Sequence, residues 1–270
     1  MNNRCIDTKI IVATHKKYEM PSDEIYLPVQ VGKEGKASLG YIGDNNGDNI
    51  SNKNSAYCEL TGLYWGWKNL ECDYMGLVHY RRHFTNNQIF SINSKRKMEN
   101  VLTSEEVNKL VPKYKIIVPK KRRYYIESLY EHYKHTHYVE HLDITRNIIE
   151  EKYPEYLKYL DKAYSSRSGY MFNMYIMDKK LSDEYCKWLF DILFELEKRV
   201  EISELSQFQG RFLGRVSEII FNCWLMFYIE EKQVPVVEIG CIHMEKINWI
   251  KKGKAFLNAK YFNKKYEAGF

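Results

Sequence analysis

Five consecutive residues, His79-Tyr-Arg-Arg-His83, gather two imidazoles, a phenol and two guanidiniums. Directly before them runs the apolar stretch 75–78, of the length and kind that make a buried strand. A buried strand ending in a polar cluster is where α/β sheets place ligands, beyond the carboxyl end of the strand. Adjacent guanidiniums present planar forks of donors that suit phosphate or carboxylate. The plain alternative is an edge strand with a basic, solvated tail. A second apolar strand, 115–119, runs into Lys120-Lys-Arg-Arg-Tyr-Tyr125, and the repetition favours one shared anionic site.

Three other patterns carry candidate chemistry. Arg211, Arg215, Glu218 and Asn222 fall at i, i+4, i+7 and i+11 of a helix predicted over 211–229, a polar ridge opposite Val216, Ile220, Cys223 and Phe227. The ridge is either a solvated face with an Arg215–Glu218 ion pair or a cleft wall with Glu218 as general base. The stretch Gly43-Asp-Asn-Asn-Gly-Asp-Asn-Ile-Ser51 is either a surface turn or a loop that binds a ribose, base or sugar through Asp44, Asp48 and Asn49. His137 and His141 stand four apart, but no Glu follows His137 as in the zinc-binding HExxH motif, so a mixed helical surface is expected there.

The elements that must position these groups follow from periodicity. A first strand is predicted at 9–13, running into a polar loop that carries His15, without a glycine-rich phosphate loop. A second strand is predicted at 27–31. Leu60, Leu63, Tyr64 and Trp67 make one stripe of a helix over 57–69, with Gly62 and Gly66 allowing close packing and Trp65 either core or a sugar platform. A polar insertion spans 86–113, with a helix at 104–110 beginning at Ser104 and Glu105. A strand is predicted at 169–177, in which Asn173 must satisfy either a loop backbone or a ligand. An amphipathic helix is predicted over 181–200.

The 270 residues suffice for one large domain or two small ones, and 44% hydrophobic with 28% charged is a globular composition. The net charge of +6 and pI near 8.8 favour acidic partners: phosphate-bearing ligands, nucleic acid or an anionic membrane. Six dispersed cysteines without a CxxC pair are expected to be reduced. The amino terminus lacks the apolar core of a signal peptide. The apolar run 219–229 falls short of the roughly 20 residues that span a bilayer, so a soluble or peripheral protein is expected. From Lys246 onward the chain is basic and aromatic, including Trp249 and Phe256, which suits either membrane-surface docking or a loosely packed terminus.

Six stretches together resemble one bacterial family. They are Ala13-Thr-His-Lys-Lys-Tyr-Glu-Met-Pro21, the 43–51 loop, Tyr57-Cys-Glu-Leu-Thr-Gly-Leu-Tyr-Trp-Gly-Trp-Lys-Asn69, Leu77-Val-His-Tyr-Arg-Arg-His-Phe84, Phe172-Asn-Met-Tyr-Ile-Met177 and Arg211-Phe-Leu-Gly-Arg-Val-Ser-Glu218. The family is encoded in capsular and exopolysaccharide loci, was long described only as a domain of unknown function, and is taken as glycosyltransferases, some assigned galactofuranosyl transfer. The likeness covers roughly residues 8–230. It implies an α/β, GT-A-like nucleotide-sugar-binding sheet flanked by helices: a donor half to about 120, a mostly helical acceptor half to about 235, and a basic aromatic segment over 236–270.

The resemblance implies transfer of a sugar from a nucleotide-diphosphate donor, expected to be a UDP-sugar, to a glycan or lipid-linked acceptor in the cytoplasm or at the inner face of the plasma membrane. Glu218 is the first candidate base and Asp44 the second. Donor contacts are assigned to His15, Asp44, Asn49, His79, Tyr80, Arg81, Arg82 and Arg211, and acceptor contacts to Asn173 and Trp65. The family tends to carry an aromatic residue at the position of Arg215, so Arg211 and Glu218 carry more weight. No Asp-x-Asp stands at a strand end, and His79, Arg81 and Arg82 take its place, so a divalent cation is not expected to be essential and no metal ligand is assigned. Two other functions compete: nucleic-acid binding through the basic clusters, which no recognised motif supports, and a non-catalytic assembly role.

Overall fold

The computed structural model describes residues 6–86, 97–203, 205–245, 256–261 and 265–267. The amino-terminal residues 1–5, the 87–96 part of the polar insertion and Trp249 of the basic tail lie outside them.

β1 (Thr8–Thr14) is built from β-branched residues and is buried on both faces: Ile11 and Ala13 point to one core, Ile10 and Val12 to another. β2 (Tyr26–Gln30) and β4 (Tyr74–His79) flank it, both parallel, and β3 (Ile42–Gly43) extends the sheet beyond β2. The order β3-β2-β1-β4 means that the chain winds outward from β1 and then returns to its other side. Such a reversal leaves a crevice beyond the carboxyl ends of β1 and β4.

Two helices make that return. α1 (Asn54–Tyr57) and α2 (Leu60–Asn69) replace the single helix expected over 57–69, because Cys58 adopts φ 54° and breaks it. A Cβ on Gly62 would stand 2.8 Å from Val31 Cγ1, and one on Gly66 would collide with Ile11 Cδ1, so the glycines do let α2 lie against the sheet. β4 then turns through Tyr80 and Arg81 into β5 (Arg82–Thr85). α3 (Ser104–Leu110) follows, opened by a capping box between Thr103 and Glu106 rather than by Ser104 and Glu105.

After β6 (Ile116–Pro119) and the short β7 (Arg122–Arg123), the chain is mainly helical: α4 (Leu129–Thr136), α5 (Glu140–Lys152), α6 (Leu157–Ser165), α7 (Lys179–Arg199) and α8 (Phe212–Glu230). The strand expected over 169–177 is two pieces, β8 (Ser168–Gly169) and β9 (Tyr175–Asp178), separated by Phe172 at φ 77° and Asn173 at φ 52°.

Two features correct the expected architecture. β9 pairs with both β6 and β4, so β4-β5-β10-β6-β9 close into a ring rather than forming the simple sheet of the expectation. β10 (Val236–His243), assigned by sequence to the segment outside the domain, lies between β5 and β6 within that ring. The α/β expectation itself holds. Residues 209–230, taken whole, are long and apolar enough to cross a membrane, but the helix is mostly buried, with Phe212 stacked on His141 of α5 and Trp224 packed on Tyr185 of α7. The described cysteines are free.

Candidate functional site

Beyond the carboxyl ends of β1, β2 and β4 opens a hollow of about 380 Å³, adjoining a second of about 570 Å³ between the β4–β5 turn, α4 and α8. His15, Cys58, Glu59, His79, Tyr80, Arg81 and Arg211 line both, so they form one cleft at the crevice that the strand order predicts. Three residues with left-handed backbone meet in this region: Cys58 and Phe172 line the cleft, and Asn173 lies directly behind it. Strain of this kind is retained where the surroundings over-determine it, often at functional sites.

The basic groups converge. The Arg82 guanidinium lies 4.3 Å over the Phe172 ring, and its buried Nε has no hydrogen-bond partner. Burial lowers its pKa, opposed by the Glu218 charge. Arg81 donates to Glu245 at 3.2 Å, while its Nε too is buried without a hydrogen bond. Arg211 Nε lies 3.1 Å from Cys58 Sγ. Burial, followed by the charges of Arg81 and Arg211, lowers the pKa of His15. Arg122 and Tyr124, from the second basic cluster, line the same cleft, so the two clusters do share one site.

Two carboxylates face this charge in opposite states. Glu59, at the junction of α1 and α2, is buried. Burial opposes its ionisation, but the His79 imidazole 3.5 Å away and the Asn173 amide donating at 2.7 Å outweigh it and hold the carboxyl down at about 2. Glu218, half-buried on α8, is pushed up to about 7 by desolvation and then by the Glu59 charge, with Arg82, Arg122 and Arg215 opposing. Carboxyls held so far apart can take different roles, one a fixed charge and the other a proton acceptor near neutrality.

The expected Arg215–Glu218 ion pair does not form. Arg215 donates instead to the carbonyls of Phe208 and Gln209 and covers the Phe208 ring. Of the residues singled out from sequence, His15, His79, Tyr80, Arg81, Arg82, Arg211 and Glu218 meet in the cleft.

Four others do not. Asp44 is fully buried and accepts hydrogen bonds from Gly32 N, Lys33 N, Ser51 Oγ and Thr61 Oγ1, so its lone pairs are spent bracing its own loop. Asn49 ties the same loop through Gly47 O and Ser51 N. Trp65 is a core side chain whose Nε1 donates to Asn46. Asn173 is buried behind the cleft rather than in its lining, donating to Glu59 and Gly214 O and accepting from Ser217, so it braces Glu59. Glu59 was missed by sequence reading, because a glutamate off the apolar stripe of a helix has the pattern of a solvated residue.

The side chains where β4 turns into β5 include the guanidiniums of Arg81 and Arg82 and no carboxylate. Among the described residues no three of His, Cys, Asp and Glu gather closely enough to hold a metal ion.

No curated protein matches the chain. A solved structure titled WbbM bifunctional glycosyltransferase, apo form, matches with a TM-score of 0.82 at 30% sequence identity, over 89% of this chain and 46% of that one. The chain therefore spans about half the length of that protein. The profile of a family described as Domain of unknown function (DUF4422) matches residues 9–231. The chain belongs to that family, the glycosyltransferase-related family of polysaccharide loci that its motifs resemble.

Proposed function

We propose that this protein is a glycosyltransferase that moves a hexosyl unit, with galactofuranose one candidate, from a nucleoside-diphosphate donor to a hydroxyl of a growing capsular or lipid-linked glycan. The observation that carries the reading is the pairing, in one cleft, of a carboxyl held near pH 7 with guanidiniums whose buried N–H groups lack partners. In this reading the diphosphate lies against Arg81, Arg82 and Arg211, with His15 and His79 beside it. Glu218 takes the acceptor hydroxyl's proton as that oxygen bonds to the anomeric carbon. The bond from that carbon to the diphosphate breaks, and its electron pair leaves on a phosphate oxygen held by the guanidiniums. Stabilising that departing charge is a large part of the catalytic task. Glu59 keeps its charge throughout and fixes His79. The reading implies a cytoplasmic enzyme working at the inner face of the membrane, where a lipid-linked acceptor would be presented.

Calorimetric titration with UDP, GDP and a single-stranded oligonucleotide, at low and high salt, tests it. Diphosphate binding that survives high salt is expected. Oligonucleotide binding that falls steeply with salt, without diphosphate binding, would support the nucleic-acid reading instead. Turnover is expected to persist in a chelator, because cations of the protein stand where a metal-holding motif would be. Complete loss restored by manganese or magnesium would refute that part.

A further inference from the structure

We propose that the end of the cleft beside Glu218 is a subsite for the acceptor's sugar ring, and that Tyr266, held by the carboxy-terminal residues around it, completes it and sets its specificity. The proposal rests on the glycosyltransferase reading. A base takes its proton from the acceptor, so the acceptor hydroxyl must lie beside Glu218, on the face of the anomeric carbon opposite the departing diphosphate. Of the proposed donor contacts, His15, His79, Tyr80, Arg81 and Arg211 line both hollows, and Arg82 lines the larger one. Tyr124, His132, Tyr133, His137, Phe208 and Tyr266 line the larger hollow alone, together with Glu218.

The chemistry of that end suits a sugar. A pyranose or furanose ring has C–H faces that lie on aromatic rings and hydroxyl edges that need donors and acceptors. Tyr124 packs on His132 with centroids 4.6 Å apart, and Arg122 lies 4.7 Å over Tyr124. Tyr266 meets the same imidazole edge-on at 6.5 Å, and Phe256, which does not line the cleft, stacks on it at 5.7 Å. Rings and hydrogen-bonding groups thus alternate around one space.

Anchors outside the cleft hold the carboxy-terminal residues in place. Tyr266 N donates to Thr136 O at 3.1 Å, and Gln209 Nε2 donates to Tyr266 O at 2.6 Å. Lys260 pairs at 3.2 Å with Glu127, a buried carboxylate that also faces His135 at 2.8 Å. These contacts use backbone and side chains other than the two rings. The family match ends at 231, so Tyr266 comes from beyond it, while Tyr124, His132, Tyr133, His137 and Phe208 lie within it.

Saturation-transfer NMR on the whole chain, with methyl glycosides of galactose, glucose, mannose and rhamnose as probes, reads ring contact without any donor. Ring-proton enhancement is expected for at least one probe. Tyr266→Ala should weaken it about tenfold, the scale of losing one aromatic contact, and Tyr266→Phe should preserve it. UDP affinity should be the same in all three proteins. If Tyr266→Ala fails to fold, Tyr124→Ala carries the same readout. No enhancement with any probe, or enhancement untouched by loss of both rings, overturns the subsite. Glycoside binding that depends on Tyr266 without UDP binding would leave the subsite standing and sink the donor reading. UDP binding with no glycoside contact would do the reverse.

Discussion

Replacing Glu218 with glutamine should raise the stability of the protein while removing its activity. The native carboxyl holds its proton to about pH 7, against 4.5 for an ordinary glutamate. Between those values the native state binds a proton that the unfolded chain has lost, so stability falls as pH rises through that window and levels off above it. The displacement corresponds to about 3 kcal/mol at pH 8, an upper bound given that Glu218 opens on a solvent-filled cleft. Glutamine keeps the shape and carries no charge. Glu218→Gln should therefore gain up to about 3 kcal/mol over the wild type at pH 8 and almost nothing at pH 5. Loss of a general base typically removes about 10²–10⁴-fold in rate. In the wild type, turnover should fall about tenfold per unit below pH 7. Melting temperature against pH for both proteins, with turnover once a donor is found, makes the comparison. A variant that is less stable at pH 8, or one that keeps near-normal turnover, would refute the assignment.

Arg82→Ala should weaken UDP binding by about 1.5–3 kcal/mol, roughly ten- to hundredfold in Kd by calorimetry, with little change in melting temperature. An unchanged Kd would remove Arg82 from the donor site. Asp44→Asn places an amide against two backbone donors and should cost about 3 kcal/mol, a fall of roughly 6–10 °C in melting temperature, without altering UDP affinity in the folded protein. Lost UDP binding at an unchanged melting temperature would return Asp44 to the site. Gly66→Ala adds about 1 kcal/mol of helix preference but drives a methyl into Ile11. The overpacking, at about 1–3 kcal/mol, should win, and a raised melting temperature would show that α2 can move away.

Local pattern was enough for much of this protein. The β-branched run at 9–13, the apolar stripes of α2, α7 and α8, and the basic residues that follow β4 and β6 are legible because type and spacing within a few turns set secondary structure. They also show which end of a strand is polar. The two glycines of α2 announced close packing for the same reason, since a helix accepts such residues at a cost unless something approaches them.

Other decisions belong to residues far apart in the chain. A carboxylate in a loop of Gly, Asn and Asp looks the same whether it holds a ribose or its own backbone. Gly32, Ser51 and Thr61 decided that for Asp44. Glu218 and Arg215 stand at the spacing of a surface ion pair. The carbonyls of Phe208 and Gln209 drew Arg215 away, and burial beside Glu59 changed Glu218 from a solvated charge into a carboxyl near neutrality. β10 joined the ring because β5 and β6 both offered open edges, although its own sequence adjoins a basic tail. Sequence alone determined which groups could do chemistry. The tertiary structure decided which of them lost water and gained each other as neighbours, and desolvation and proximity are what turn a charged side chain into a working one.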